Sequence, residues 1–215
     1  MGSVERWLGL RSELEGLGVE LLVVTKNCTV DAIGQLFKMG QLDFGESRVR
    51  ELCEKAAQLD STVKWHFIGH LQTNKCAKLL QIPNLHMIQS VDSMELFNKL
   101  SQLTTKLNRQ INVLIQVNTT LKPTQYGIDY RNITLIISLV RSVMRSERVK
   151  FRGLMTIGDG TKDSFHRLNG VKKRLEEEFG ELGEFVMSMG MSSDYKLAIQ
   201  MGSNHIRIGT LIFNS

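Results

Sequence analysis

The sequence predicts an α/β chain forming a single (β/α)8 barrel of TIM type across residues 1–215, and three observations predict it. Short runs rich in Val, Ile and Leu alternate with longer amphipathic stretches along the whole chain, the pattern of strand–helix units around a parallel sheet. About eight such repeats fit into 215 residues, the number that closes a barrel. After Val24 the chain reads Thr25, Lys26, Asn27, Cys28, so the glycine fingerprint that follows the first strand of an open dinucleotide-binding sheet is missing.

Taken in order, the strand candidates are residues 21–25, 42–44, 64–68, 85–90, 112–118, 151–155, 185–189 and 205–208. Three of the intervening helices are well marked. Asp92 precedes a run with Leu96 and Leu100 four apart, and Glu95 supplies a capping-box-like start. A second helix follows Asp129. Asp163 opens a third, with Phe165, Leu168, Val171 and Leu175 on one face and Gly180 at its end. Pro83 and Pro123 both fall between elements, and no Pro- or Ser-rich linker marks a boundary.

Composition narrows the function. The chain is 42% hydrophobic and 23% charged, a balance that can enclose one sizeable core. Its formal charge of +5 is dispersed, without the basic block and aromatic interleaving of a nucleic-acid surface. Cys28, Cys53 and Cys76 form no CxxC pair and are odd in number, which points to a reducing compartment and away from a metal. Residues 1–10 lack the order of a secretory signal, Arg6 replaces the Ser or Thr of a myristoylation motif, and no apolar run reaches membrane-spanning length. The expectation is a cytoplasmic protein, compatible with a mitochondrial pool, with neither nucleic acid nor membrane as partner.

In a parallel barrel, ligands lie at the carboxyl ends of the strands, so the residues that follow each apolar run carry the information. Lys26 follows Leu21 to Val24, which would set its amine at the barrel mouth with little water around it, in the neutral form that condenses with aldehydes. From position alone a snorkelling surface lysine fits as well. Ser188, Met189, Gly190, Met191 and Ser192 follow the seventh run, and Gly202 and Ser203 lead into Arg207, Ile208, Gly209 and Thr210. Loops after the last two barrel strands commonly hold phosphate, although small residues also fill ordinary turns. A lysine on the first strand and an anion cradle on the last two are neighbours in a closed barrel, and pyridoxal 5′-phosphate (PLP) needs both.

At these same residues the sequence resembles the PLP homeostasis protein family, whose barrel matches the N-terminal domain of alanine racemase. The resemblance runs from about Val19 to Phe213. It rests on ValThrLys at 24–26, PheGlyGlu at 44–46, TrpHisPheIleGlyHisLeuGln at 65–72, GlyLeuMetThrIleGly at 153–158, SerMetGlyMetSer at 188–192 and ArgIleGlyThr at 207–210. It implies a Schiff base on Lys26, phosphate contacts from Ser192, Gly209 and Thr210, and Arg207 against the pyridine nitrogen. A guanidinium there disfavours a protonated ring and weakens the cofactor as an electron sink. The implied role is to carry and buffer PLP in vitamin B6 homeostasis, as a monomer or weak dimer, with apo-enzymes that use PLP as recipients. The alternative is a PLP-dependent amino-acid enzyme of racemase type, which would need a second acid/base, and the tyrosines available are Tyr126, Tyr130 and Tyr195. A Schiff-base aldolase acting through Lys26 ranks third. The chain departs from the family pattern at Ser47, where an Asn near the cofactor is usual, at Lys122 and Gln125, at Asn204, and at its end through Asn214 and Ser215.

Other residues carry plainer expectations. His66 and His70 stand four apart, but on a strand running into a loop rather than a helix, so His66 is expected inside the barrel, with Trp65 and Phe67 facing outward. Met155 reads as core filler. Asp159, Asp163, Asp194 and Glu46 read as helix caps more readily than as acids or bases. His205, Arg167 and the run 172–174 read as solvated surface.

Overall fold

The computed structural model describes residues 2–120 and 122–213; Met1, Leu121 and the terminal Asn214 and Ser215 lie outside them. Eight parallel strands close into a barrel: β1 (Glu20–Val24), β2 (Asp43–Glu46), β3 (Lys64–Phe67), β4 (Leu85–Val91), β5 (Ile111–Asn118), β7 (Val149–Met155), β8 (Val186–Ser188) and β9 (His205–Ile208). Each pairs with the next in that order, β4 with β5 and β9 back to β1, so no edge is left open. All eight expected strands are present. The two-residue β6 (Ile128–Asp129) was not expected; it lies parallel beside the carboxyl end of β5, pairing with Val117 and Asn118.

Strand parity divides the residues. Leu21, Val23, Phe44, Trp65, Phe67, Ile88, Val113, Ile115, Leu154, Met187, Ile206 and Ile208 join the large cluster beneath the helices. The intervening positions face the barrel axis, where Met87, Leu114 and Met155 form a small apolar cluster of their own. Trp65 and Phe67 thus point outward as expected, and Met155 is core.

The helices cover the outer face: α1 (Ser3–Leu14), α2 (Val30–Lys38), α3 (Val49–Ala56), α4 (Cys76–Leu79), α5 (Met94–Lys106), α6 (Ile133–Met144), α7 (Lys162–Phe179), α8 (Tyr195–Gln200) and α9 (Thr210–Phe213). Helix α1 precedes the first strand and was not expected. It docks through Trp7, Leu10 and Leu14, and the Trp7 indole donates to Gln41 Oε1 at 2.9 Å.

Two caps differ in residue from the sequence reading, and the cap of a third helix had not been assigned. The hydroxyl of Ser93, not Asp92, receives Leu96 N in α5; that of Thr161, not Asp163, receives Ser164 N in α7; and Asn132 caps α6. In each case the side chain three residues ahead of an orphan amide captures it, a contribution of about 1 kcal/mol. No described helix is long and apolar enough to cross a membrane.

Candidate cofactor site

The carboxyl ends of β1 and β9 and the loop after β8 enclose a cavity of about 650 Å³ lined by Lys26, Met191, Ser192, Arg207, Gly209 and Thr210. Five of the ten residues singled out from the sequence therefore meet in one place, namely Lys26, Ser192, Arg207, Gly209 and Thr210. Alternation explains the first: Val24 faces inward, Thr25 turns outward to Glu46, and Lys26 returns to the cavity. Lys26 is nevertheless exposed, which corrects the expectation of a nearly dry amine. It stands in a turn one residue beyond Thr25, past the strand's hydrophobic shelter.

The turn that presents Lys26 is pinned from below. Lys55 on α3 donates to Thr25 O at 2.8 Å and to Glu46 Oε1 at 2.6 Å, and the Thr25 hydroxyl donates to the same carboxylate oxygen at 2.7 Å. Glu46 is fully buried and its Oε2 has no partner. Glu46 is thus half of an interior ion pair rather than a helix cap.

Arg207 forms the cavity floor and is 4% exposed. Its Nη1 donates to Ser188 Oγ at 2.9 Å and its Nη2 to Thr156 O at 2.7 Å, both neutral oxygens. Burial pulls its pKa down to about 10, with the charge of Asp194 opposing. A buried guanidinium with only neutral partners favours an electron-rich atom above it. Beside it, Ser192 Oγ accepts Leu211 N at 3.1 Å, and Asp194 holds this turn by accepting Met191 N at 2.6 Å. Asp194 thus occupies the N-cap position of α8, but its side chain bonds back into the loop instead of capping the helix. Gly209 allows the two strand ends to close, since a Cβ there would lie 2.9 Å from Val24 O. An amine, a buried cation without an acidic partner, and the hydroxyl residues Ser192, Ser193 and Thr210 around one cavity fit an anionic aldehyde such as PLP.

The other five residues lie elsewhere. Ser188 and Met189 are buried below the cavity: Ser188 supports Arg207 from beneath, while Met189 points outward into the helix-side core. Gly202 and Ser203 precede β9 and so sit at its amino end, away from the cavity, where Ser203 Oγ donates to Met189 O at 2.6 Å. Reading loops on both sides of the last strand as one cradle overlooked that a parallel strand separates them by its full length. Ser47 follows β2 with its backbone against Gly69 and is not among the lining residues.

Two residues expected at the surface are not there. Arg167 is partly buried, donating to Thr119 O at 2.8 Å across the Tyr130 ring. His205 faces the barrel axis at 2% exposure. His66 also faces the axis, at 3.0 Å from Asp43, whereas His70 stacks on Tyr126 at the rim. Gln89 and Thr156, which bear on Arg207 directly or through Ser188, were missed. The available signal was parity, because Gln89, Ser188, His205 and Arg207 are polar residues at inward positions of otherwise apolar strands.

Burial pushes the pKa of His205 down to about 3, assisted by neighbouring His66 and by the charge of Arg207. Its ordinary value of 6.5 applies once the chain unfolds, so between about pH 6.5 and 3 the unfolded chain takes a proton that the folded chain refuses. Stability present above this window is lost as pH falls through it. At about 1.4 kcal/mol per pH unit, His205 contributes a loss of about 2 kcal/mol between pH 6.5 and about 5. Urea unfolding at both pH values measures it, and His205→Asn should flatten the slope by that amount. An unchanged slope would refute the assignment.

The closed parallel barrel with a lysine and an anion-ready floor at its carboxyl mouth defines a barrel of the alanine racemase type, and residues 5–215 match the alanine racemase N-terminal domain family. The chain is 35% identical to the pyridoxal phosphate homeostasis protein of Mus musculus, over 94% of this chain and 78% of that protein. It is 32% identical to the one from Schizosaccharomyces pombe, over 96% and 90%. PipY of Synechococcus elongatus PCC7942, solved with PLP bound, superposes with a TM-score of 0.87 at 33% identity, covering 99% of this chain and all of that one. Alanine racemase of Clostridium difficile 630 shares the fold at 12% identity, with a TM-score of 0.81 over 60% of its length. The chain belongs to the pyridoxal phosphate homeostasis protein family.

Proposed function

We propose that this chain binds PLP, holds it as a Schiff base on Lys26, and takes part in vitamin B6 homeostasis as a carrier that takes up and releases the cofactor. The observation that carries this reading is the convergence of Lys26, Ser192, Arg207, Gly209 and Thr210 on one cavity. In it, Lys26 supplies the amine, Ser192 with Gly209 and Thr210 receives the phosphate, and Arg207 meets the pyridine nitrogen. Bound PLP is an electron sink whose strength depends on the partner of that nitrogen, and a cationic partner lowers it. This favours storage over amino-acid chemistry. The tyrosines agree: none of Tyr126, Tyr130 and Tyr195 lines the cavity, and the Tyr195 hydroxyl is engaged with Glu13 at 3.0 Å. Apo-enzymes that require PLP are the recipients this role implies.

The test is the absorption spectrum of the protein mixed with PLP, followed by borohydride reduction and peptide mapping, with Lys26→Ala alongside. A visible imine band reduced onto Lys26 and absent in the variant is expected. No band, or a label on another lysine, would overturn the site. Amino acids deuterated at Cα should keep their label with the loaded protein as well as with Lys26→Ala; exchange confined to the wild type would favour a racemase-like enzyme instead.

A further inference from the structure

A column of polar side chains runs along the barrel axis beneath the cavity. Arg207 Nη1 donates to Ser188 Oγ at 2.9 Å, and the Ser188 hydroxyl donates to Gln89 Oε1 at 2.7 Å. Gln89 Nε2 lies 3.1 Å from His66 Nδ1, and His66 Nε2 lies 3.0 Å from Asp43 Oδ1. With His66 neutral and its proton on Nε2, the donors run in one direction throughout. The Asp43 carboxylate accepts from His66 Nε2, which leaves Nδ1 to accept from the Gln89 amide. The amide oxygen then faces Ser188, whose proton can go to it while its lone pair receives Arg207. His205 Nε2 lies 3.4 Å from Gln89 Nε2 and is a second acceptor for the amide in the tautomer that carries the His205 proton on Nδ1.

Four hydrogen bonds therefore point one way, from a guanidinium at the cavity floor to a carboxylate at the opposite end of the barrel. Bonds polarised in series strengthen one another in a low-dielectric interior. Gln89, Ser188 and Arg207 are all buried, so water cannot replace a lost member without a new cavity.

We propose that Gln89 is a positioning residue for Arg207, acting through the Ser188 hydroxyl and itself oriented by His66 and Asp43. Gln89 is not among the residues that line the cavity. Its effect on bound cofactor is to set where the Arg207 guanidinium rests and how fully its Nη1 is engaged below. The inference rests on the reading that this cavity binds PLP.

The experiment is a PLP titration followed by visible absorption for wild type, Gln89→Met, Gln89→Glu, Ser188→Ala and the Gln89→Met/Ser188→Ala pair. Gln89→Met and Ser188→Ala should each weaken binding about tenfold, the size expected for a buried hydrogen bond left unmade. The double variant should be no weaker than either single by more than about twofold, because both remove the same support. Gln89→Glu keeps an acceptor for Ser188 and should stay within about threefold of wild type, a rescue that simple packing would not give. Binding by Gln89→Met equal to wild type, losses that multiply in the double variant, or equal weakening by Met and Glu would each overturn the proposal. If Gln89→Met does not fold, Ser188→Ala carries the test, and wild-type affinity in that variant overturns it. A wild-type protein that fails to take up PLP defeats the underlying reading instead, so the two failures are distinct.

Discussion

Replacing Lys55 with Met should cost about 3–5 kcal/mol of folding stability, the loss typical of breaking a buried ion pair from one side. The Lys55 side chain is 9% exposed and that of Glu46 is at 0%, so removing the ammonium strands a carboxylate whose Oε2 already lacks a partner. The interaction also holds Thr25 O, one residue before Lys26. The variant should therefore load PLP more slowly as well as unfold at lower urea. Adding Glu46→Gln should recover a substantial part of the stability, since it removes the stranded charge while keeping an acceptor for the Thr25 hydroxyl. A loss below about 1 kcal/mol for Lys55→Met, or no recovery in the pair, would show that the ion pair does not support this end of β1.

Gly153→Ala should be at least as damaging, about 4 kcal/mol or more. Gly153 lies in β7 at φ +144, which side chains other than glycine's lack of one rarely tolerate. An added Cβ would stand 2.1 Å from Val186 O and 2.7 Å from Val186 N, so relief requires the backbones of β7 and β8 to part. Those strands deliver Thr156 O and Ser188 Oγ, the two acceptors that hold Arg207. The urea midpoint should fall steeply, and any folded fraction should bind PLP weakly. Near wild-type values of both would mean that β7 and β8 can separate without cost to the site.

These two positions differ in how far the sequence discloses them. Gly153 sits in a motif that the sequence made visible, yet its role depends on the backbone conformation it adopts in β7 and on Val186 across the sheet, which lies far away in the chain. Glu46 also sits in a visible motif. Its carboxylate could be read as a cap, because helix α3 follows closely, and only the approach of Lys55 from that helix makes it half of an ion pair. His205 was mistaken for a surface residue for the same kind of reason. A histidine opening a strand is solvated on one face and buried on the other, and the register with β1 and β8 chooses the face.

By itself the sequence determined the number and order of the eight barrel strands, the placement of Lys26 just past the first and of Arg207 within the last, and the family to which the chain belongs. These follow from hydrophobic periodicity and from local motifs, which act over a few residues. The tertiary structure decided which of the candidate residues share a cavity. It separated Gly202 and Ser203 from Gly209 and Thr210 by the length of β9, turned Met189 outward, and set Ser188 beneath Arg207. It also assembled the column from Arg207 through Gln89 to Asp43, whose members come from five strands. Barrel closure and strand register bring such residues together, and both are properties of pairing between distant segments that no local pattern encodes.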